Sequence, residues 1–321
     1  MQQTVMVSAY CLAFNHGPYI RDALEGFVNQ KTNFRYEVWV HDDASTDQTP
    51  AIIREYAQKY PDIIKPVFQT ENQYSQGVQI SRQILYPRMM GRYLAICEGD
   101  DYWCDENKLQ KQVDFLESHP EYSACVHNTN VLNCQTGSMS PLNASREDKD
   151  LRFREVVNAG NAEFQLSSLL CRRELFLYPA ELTGYGFGDY PLSVYLMLKG
   201  KIRYFKEIMS VYRFSSLGSW TSRNLMEASH RRMIDTQKRT TDFTCALYRY
   251  CQSQSLAPEQ LEDVKRVTER NELQLYAMQY GLRGLLKTSE RRKMFAHINF
   301  KQKQWVLDTG WKEICRKKKA K

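Results

Sequence analysis

Apolar and polar positions along the first 130 residues follow two alternating periods. Val5 to Leu12 is a short apolar run, partly β-branched, and Asn15-His-Gly-Pro18 after it reads as a turn. Tyr19 to Gln30 then places Ile20, Ala23, Leu24, Phe27 and Val28 on one helical face. Tyr36 to Val40 predicts a second strand. It leads through Asp42-Asp-Ala-Ser-Thr-Asp47 to Thr49-Pro50, an N-cap type of residue followed by proline at the first helical position. Ile52, Ile53, Tyr56, Ala57 and Tyr60 form the buried stripe of that helix.

The alternation continues. A strand is predicted at Ile64 to Phe68, a helix at Val78 to Met89 and a strand at Tyr93 to Cys97. A helix at Asn107 to Ser118 carries Leu109, Val113 and Leu116, and a further strand covers Ser123 to Leu132. Repeated βα units of this length predict an α/β fold with a mostly parallel central sheet flanked by helices. Asn133 to Asn161 is polar and reads as a long surface excursion. Apolar structure resumes at Phe164 to Cys171, with a helix near Pro191 to Lys199 and a strand from Ile202 to Phe214. Beyond Ser222 only helical periodicity remains, in Leu225 to Tyr250, Pro258 to Leu286 and Arg291 to Lys319.

Charge divides the chain at the same place. Residues 1–224 hold 23 Lys and Arg against 26 Asp and Glu, a balance of −3, whereas 225–321 hold 21 against 11, a balance of +10. The expected organisation is a domain over 1–222, itself halved near residue 132 into 1–132 and 133–222, and a basic helical region over 223–321. Of the 321 residues 42% are apolar, which excludes disorder throughout. No uncharged apolar run approaches the roughly 18 residues a bilayer span requires. The N-terminus lacks the basic start and long apolar core of a signal peptide, so the expectation is a soluble cytoplasmic protein. Nine scattered cysteines without a CxxC fit reduced thiols rather than a disulfide frame or a zinc site.

Candidate chemistry lies where strands end. In an open parallel sheet, ligands sit at the carboxyl ends of the strands. Two such ends carry acids: Asp42-Asp43 after the second strand, and Glu98, Asp100 and Asp101 after the fourth. Like charges gathered there need a positive or hydrogen-bonding partner. A hard divalent cation with oxygen ligands, Mg²⁺ or Mn²⁺, is one, and it takes its remaining ligands from water and substrate phosphates. The alternative is that each loop caps its next helix or is simply solvated. Neither GxxxxGK[ST] nor GxGxxG is present, which argues against a P-loop enzyme and a typical dinucleotide binder.

The blocks Val7-Ser-Ala-Tyr-Cys-Leu-Ala-Phe-Asn15, Asp42-Asp-Ala-Ser-Thr-Asp47 and Glu98-Gly-Asp-Asp-Tyr-Trp103 resemble the nucleotide-sugar-binding half of a family 2 glycosyltransferase with the GT-A fold. Gly188-Asp189-Tyr-Pro-Leu192, Val211-Tyr-Arg213 and Ser219-Trp220 resemble the acceptor-side blocks of its bacterial surface-polysaccharide members. The resemblance implies that Asp42 and Asp43 meet the nucleoside. It implies that Glu98-Gly-Asp100-Asp101 stands for the DxD motif, with metal contact from Asp100 or Asp101, and that Asp189 is the general base. Asn15 and Arg82 lie in matching blocks as nucleotide contacts.

Each position also has a plainer reading. Asp189 stands at a helix start, which favours an acid electrostatically. Asn15 can organise its turn, and Arg82 can be a solvated helix residue. Trp103 can be core rather than a wall against a sugar or acceptor. Ser215 to Arg223, with Trp220, has the composition of a lid or of an ordinary connector. Relatives often carry a histidine where Ser215 stands. His41 and His127, at strand ends, read as hydrogen-bonded structural residues.

The resemblance implies an inverting, metal-dependent transfer of a hexose or N-acetylhexosamine from a nucleotide-sugar, UDP-linked, to a hydroxyl of a glycan or lipid-linked acceptor in polysaccharide synthesis. The alternative is a non-catalytic nucleotide-sugar-binding or scaffold subunit. A nucleotidyltransferase would want a Gly-rich basic loop that Val5 to Gly17 lacks. The basic tail, with Trp305 and Trp311, fits peripheral contact with the inner face of the membrane, and equally a solvated appendage or a homo-oligomer arm. Nucleic acid is not an expected partner, since no binding module accompanies the charge.

Overall fold

The computed structural model describes residues 4–145, 147–159, 163–216, 230–282 and 284–319. The chain forms two compact units. The first comprises Met1–Arg152, Asn161–Leu177 and Tyr195–Met226; the second comprises Phe153–Gly160, Tyr178–Val194 and Glu227–Lys321.

The first unit is built on strands β1 (Val5–Ala13), β2 (Arg35–Asp42), β3 (Ile64–Phe68), β4 (Tyr93–Ile96), β5 (Tyr102–Trp103), β6 (Tyr122–Asn133), β7 (Met139–Pro141), β8 (Lys149–Asp150), β9 (Leu170–Arg172) and β10 (Lys201–Phe214). They form one sheet in the order β3-β2-β1-β4-β9-β6-β10-β5, with β7 on β6 and β8 on β10. β3, β2, β1 and β4 are mutually parallel, as the βα repeat predicts, and β6 runs parallel to β10. Between these two groups β9 is antiparallel to both β4 and β6, so the sheet as a whole is mixed.

Helices α1 (Ile20–Val28), α2 (Thr49–Lys59) and α3 (Lys108–Ser118) bury the stripes that periodicity assigned to them. Ile20, Ala23, Leu24 and Phe27 of α1, Ile53 and Tyr56 of α2, and Leu109, Val113 and Leu116 of α3 join Val7, Ala9, Val38, Val40 and Tyr93 in one core.

The helix expected at Val78 to Met89 is instead a 3₁₀ turn at Tyr74–Gln76, a left-handed Gly77 and a short π-helical turn at Ile80–Leu85. The buried residues explain this. Ile80 and Leu85 are five apart, which suits the wider π turn better than an α-helix. Pro87 ends the segment.

The second unit is helical. It holds α4 (Phe153–Ala159), the first residues of α5 (Asp189–Lys199), α6 (His230–Gln252), α7 (Pro258–Tyr280), α8 (Ser289–His297) and α9 (Phe300–Lys319). Phe243, Leu247, Val264 and Val267 are fully buried within it. Leu273, Ala277, Leu285, Ile298 and Val306 make a satellite core under α9. Among the described residues no helix is long and apolar enough to cross a membrane.

Candidate functional site

Both acidic loops of the first unit are anchored on the carboxyl end of β1. Asp43 donates its main-chain N–H to the Ala13 carbonyl at 2.9 Å, and Gly99 donates to the Leu12 carbonyl at 2.9 Å. β2 and β4 flank β1 on either side, so the loops that follow them meet at adjacent residues. Gly99 is required there. A Cβ on it would lie 2.7 Å from His16 Nδ1 and 3.0 Å from the Leu12 carbonyl oxygen. The two loops that the sequence singled out therefore belong to one site, at the strand ends where open α/β sheets bind ligands.

In the first loop the two aspartates have different roles. Asp43 is buried, and its carboxylate accepts from the main-chain N–H of Gln73 at 2.8 Å and of Tyr74 at 3.0 Å. It thereby fixes the turn 73–77 after β3. Asp42 is equally buried, yet only its Oδ2 has a partner, the Ser45 N–H at 3.3 Å, while Oδ1 has none. Burial pushes the Asp42 carboxyl above its ordinary range. A buried acceptor without a donor suits a ligand N–H or O–H.

Asn15 adopts a left-handed backbone, φ 55°, and joins the two neighbouring turns. Its Oδ1 accepts from Thr46 N–H at 2.9 Å, and its own N–H donates to Ser45 Oγ at 2.8 Å. Arg82 sits half-buried on the π-helical turn.

In the second loop Glu98, Asp100 and Asp101 lie within four residues, Asp101 N–H closing the turn onto the Glu98 carbonyl at 3.1 Å. Directly after it β5 pairs antiparallel with β10, with Tyr102 opposite Val211 and Trp103 opposite Ser210. That register brings Arg213 beside the acids. Its main-chain N–H donates to Asp101 Oδ1 at 2.9 Å, its guanidinium Nη1 donates to the Asp100 carbonyl at 2.9 Å, and Nη2 pairs with Asp22 of α1. The guanidinium lies over the rings of Tyr102 at 4.7 Å and Tyr19 at 5.3 Å. Ser216 Oγ donates to Asp100 Oδ2 at 2.7 Å.

Burial, followed by the charges of Asp100 and Glu98, raises the Asp101 carboxyl well above its usual range, against the lowering effect of the Arg213 N–H. The same acids, after burial, push up the thiols of Cys11 and Cys97 beneath them. A divalent cation fits this donor set. Asp100 and Asp101 would offer it hard oxygen ligands, with Arg213 as the positive group beside them. Among the described residues no three His, Cys, Asp or Glu side chains are grouped as a metal cage.

Trp103 is not a wall of this site. It is 3% exposed, packs edge-on against Phe27 at 4.9 Å and donates Nε1–H to the Ser167 carbonyl at 2.9 Å, which makes it a core residue. Trp220 lies outside the described residues, as does the chain from Leu217 to Arg223. His41 and His127 are buried, and burial pushes both imidazoles below their ordinary range. His127 Nδ1 lies 2.8 Å from the Asn128 carbonyl, and His41 Nε2 lies 3.1 Å from Gln69 Nε2. Asp189 belongs to the second unit, at the start of α5, where its Oδ1 accepts from Tyr190 N–H at 2.8 Å and burial raises its carboxyl above the ordinary value. An acid so raised is a better proton acceptor than an ordinary carboxylate.

Arg213, Asp22 and Ser216 are site residues that the sequence reading left unassigned. The Tyr212-Arg213 pair was a usable signal, since it sits in a recognised block. Asp22 gave none, being an ordinary first-turn acid of a helix.

Residues 8–165 match the profile of glycosyl transferase family 2. That segment, just under half of the chain, belongs to the family. The chain is 38% identical over 221 residues to an uncharacterized protein of Mycobacterium tuberculosis, the match covering 67% of this chain and 61% of that protein. The chain thus spans about three-fifths of the length of that relative. It is 32% identical over 111 residues to TuaG, a putative teichuronic acid biosynthesis glycosyltransferase of Bacillus subtilis, covering 35% of this chain and 42% of TuaG. The crystal structure of TarS residues 1–349 from S. aureus superimposes with a TM-score of 0.64 at 15% identity, covering 97% of this chain and 88% of that one. The GT-A architecture of the chain follows from that likeness.

Proposed function

We propose that the protein transfers a sugar, with inversion, from a nucleotide-sugar to a hydroxyl of a glycan or lipid-linked acceptor in cell-surface polysaccharide synthesis. A UDP-sugar is the favoured donor. TarS has been crystallised with UDP and with UDP-GlcNAc, and TuaG is named for teichuronic acid biosynthesis, which supports the donor class and the setting. The observation that carries the reading is the anchoring of both acidic loops on Leu12 and Ala13, with Asp42 Oδ1 buried and unpartnered.

In this reading Asp42 Oδ1 accepts a hydrogen bond from the base or ribose, and Asp43 shapes the wall beside it. Asp100 and Asp101 hold Mn²⁺ or Mg²⁺, which when bound offsets charge on the leaving diphosphate. Asp189 takes the proton of the acceptor hydroxyl as its oxygen bonds the anomeric carbon and the bond to the diphosphate breaks. We assign this chemistry to residues 1–222, of which 153–160 and 178–194 group with the helical unit.

The test is release of UDP from a panel of UDP-sugars with and without Mn²⁺, then transfer to an acceptor pool. Metal-dependent release that Asp189→Asn slows only when acceptor is present supports the assignment. Donor binding without turnover on any acceptor would instead mark a scaffold subunit.

A further inference from the structure

The last helix of the second unit has two faces of opposite character. Gln302, Val306 and Gly310 of α9, one helical turn apart, are buried. Gly310 packs so closely that a Cβ on it would lie 2.3 Å from Leu282 Cδ2 and 3.4 Å from Ala277 Cβ. That face is committed to α7 and the turn after it. About 120° round the helix from that face, Phe300, Leu307 and Trp311 share one stripe by helical spacing, and they are 80%, 42% and 61% exposed. Lys301 and Lys312 lie about 100° further round, with Asp308 between them and the stripe, and all three are exposed. Asn299 and Gln302 fix the helix start reciprocally, each donating its main-chain N–H to the other's side-chain oxygen at 3.0 Å. The apolar stripe is therefore presented by a capped, docked helix rather than by a loose tail.

We infer that this stripe is a docking surface for an anionic lipid bilayer, with the helix lying flat in the interface. Two large aromatics and a leucine in line are what an interfacial helix buries, and the surrounding +10 balance of residues 225–321 supplies attraction to acidic headgroups. The same charge opposes the other simple occupant, a second copy of the chain, because it would set like charges face to face. Three side chains on one helix are also too few for a stable dimer, which buries about 1,200–2,000 Å². The inference does not depend on the catalytic reading, since none of these residues belongs to the acidic-loop site.

The experiment is co-sedimentation of the full chain with phosphatidylcholine vesicles, with and without phosphatidylglycerol, for the wild type and for Phe300→Ser/Leu307→Ser/Trp311→Ser. Expected are partitioning onto acidic vesicles only, weakening as salt is raised, and a drop of about tenfold or more in the partition coefficient of the variant. Circular dichroism and UDP release in solution should match the wild type, so that failure of vesicle binding is distinguishable from failure of the enzyme. Absence of binding to acidic vesicles, or equal binding by the variant, overturns the inference. So does a wild-type dimer, seen by light scattering, that the variant dissolves.

Discussion

Arg213 offers its main-chain N–H to Asp101 Oδ1 at 2.9 Å while its guanidinium donates to the Asp100 carbonyl at the same distance. One residue of β10 therefore holds two consecutive acids, and its side chain is in turn held by Asp22 of α1. The acidic loop is positioned from outside itself.

Arg213→Ala keeps the main-chain bond and removes only the guanidinium. Asp22 stays half-exposed and solvated, so the loss comes from the Asp100 carbonyl and the stacking on Tyr102 and Tyr19. We expect about 2–3 kcal/mol of lost stability in denaturant unfolding. UDP release should fall by about tenfold or more. Arg213→Lys should recover stability only in part, because an ammonium lacks the planar fork and the stacking face.

Asp101 sets a pH dependence with a definite sign. Its carboxyl is raised in the folded protein, so the folded state holds the proton where the unfolded state has released it. Stability is therefore favoured at low pH and falls as pH rises from the ordinary carboxylate range through the raised value. In the proposed site a divalent cation would take the place of that proton. The thermal shift produced by Mn²⁺ should accordingly grow as pH rises through the raised Asp101 value, reaching about 2.7 kcal/mol at a hundredfold excess over Kd. Asp101→Asn should abolish both the pH slope and the Mn²⁺ shift, and a shift unchanged in that variant would remove Asp101 from the metal site.

Asp42 and Asp43 are neighbours with separable tasks. Asp43→Ala deprives the Gln73 and Tyr74 N–H groups of their acceptor and should cost about 1–2 kcal/mol in stability. Asp42→Asn removes an acid that burial already disfavours, so unfolding should be unchanged or slightly harder. UDP affinity should nevertheless drop by about 1.5–3 kcal/mol, the worth of a hydrogen bond to a charged group. Calorimetric titration of UDP beside thermal melts separates the two cases.

What the sequence made legible follows the range of each interaction. Both acidic loops, the βα repeat and the buried stripes of α1, α2 and α3 could be read because each rests on neighbours within a few residues. The role of Arg213 could not. It depends on the β5–β10 register, which joins positions 109 residues apart by pairing Val211 with Tyr102. Asp42 and Asp43 looked equivalent in the sequence, and only the turn at 73–77 distinguishes them. Trp103 was open between wall and core until Ser167 was placed as its hydrogen-bond acceptor. The antiparallel β9 was equally out of reach, since three residues carry no periodicity of their own.

Lys108 is fully buried, donates to Gln112 Oε1 at 2.7 Å and lies 4.2 Å from the centre of the Trp103 ring. Burial pushes its amine down to about 7. With the folded pKa below the unfolded one, the unfolded chain binds more protons between about pH 7 and the ordinary lysine range, so stability rises with pH across that window. Lys108→Met leaves Gln112 Oε1 without its donor, a cost of about 1–3 kcal/mol that does not vary with pH. The difference between variant and wild type in denaturant unfolding should therefore move against the variant as pH rises above 7. A pH-independent difference would mean that the amine stays charged.

Gly26 of α1 lies against β5, where a Cβ would stand 2.6 Å from the Trp103 carbonyl oxygen and 3.0 Å from its main-chain nitrogen. Neither atom can yield easily, because Trp103 is paired to Ser210 of β10 and its ring is packed on Phe27. Gly26→Ala must therefore lift α1 away from β5. Overpacking of this kind costs about 1–3 kcal/mol. Asp22 stands one turn earlier on the same helix, so the displacement also draws it away from Arg213 and loosens the hold on Asp100 and Asp101. The variant should consequently lose Mn²⁺-induced thermal stabilisation as well as basal stability, although position 26 carries no chemical group of its own. If it melts earlier but keeps the full Mn²⁺ shift, the Asp22–Arg213 pair does not govern the acidic loop.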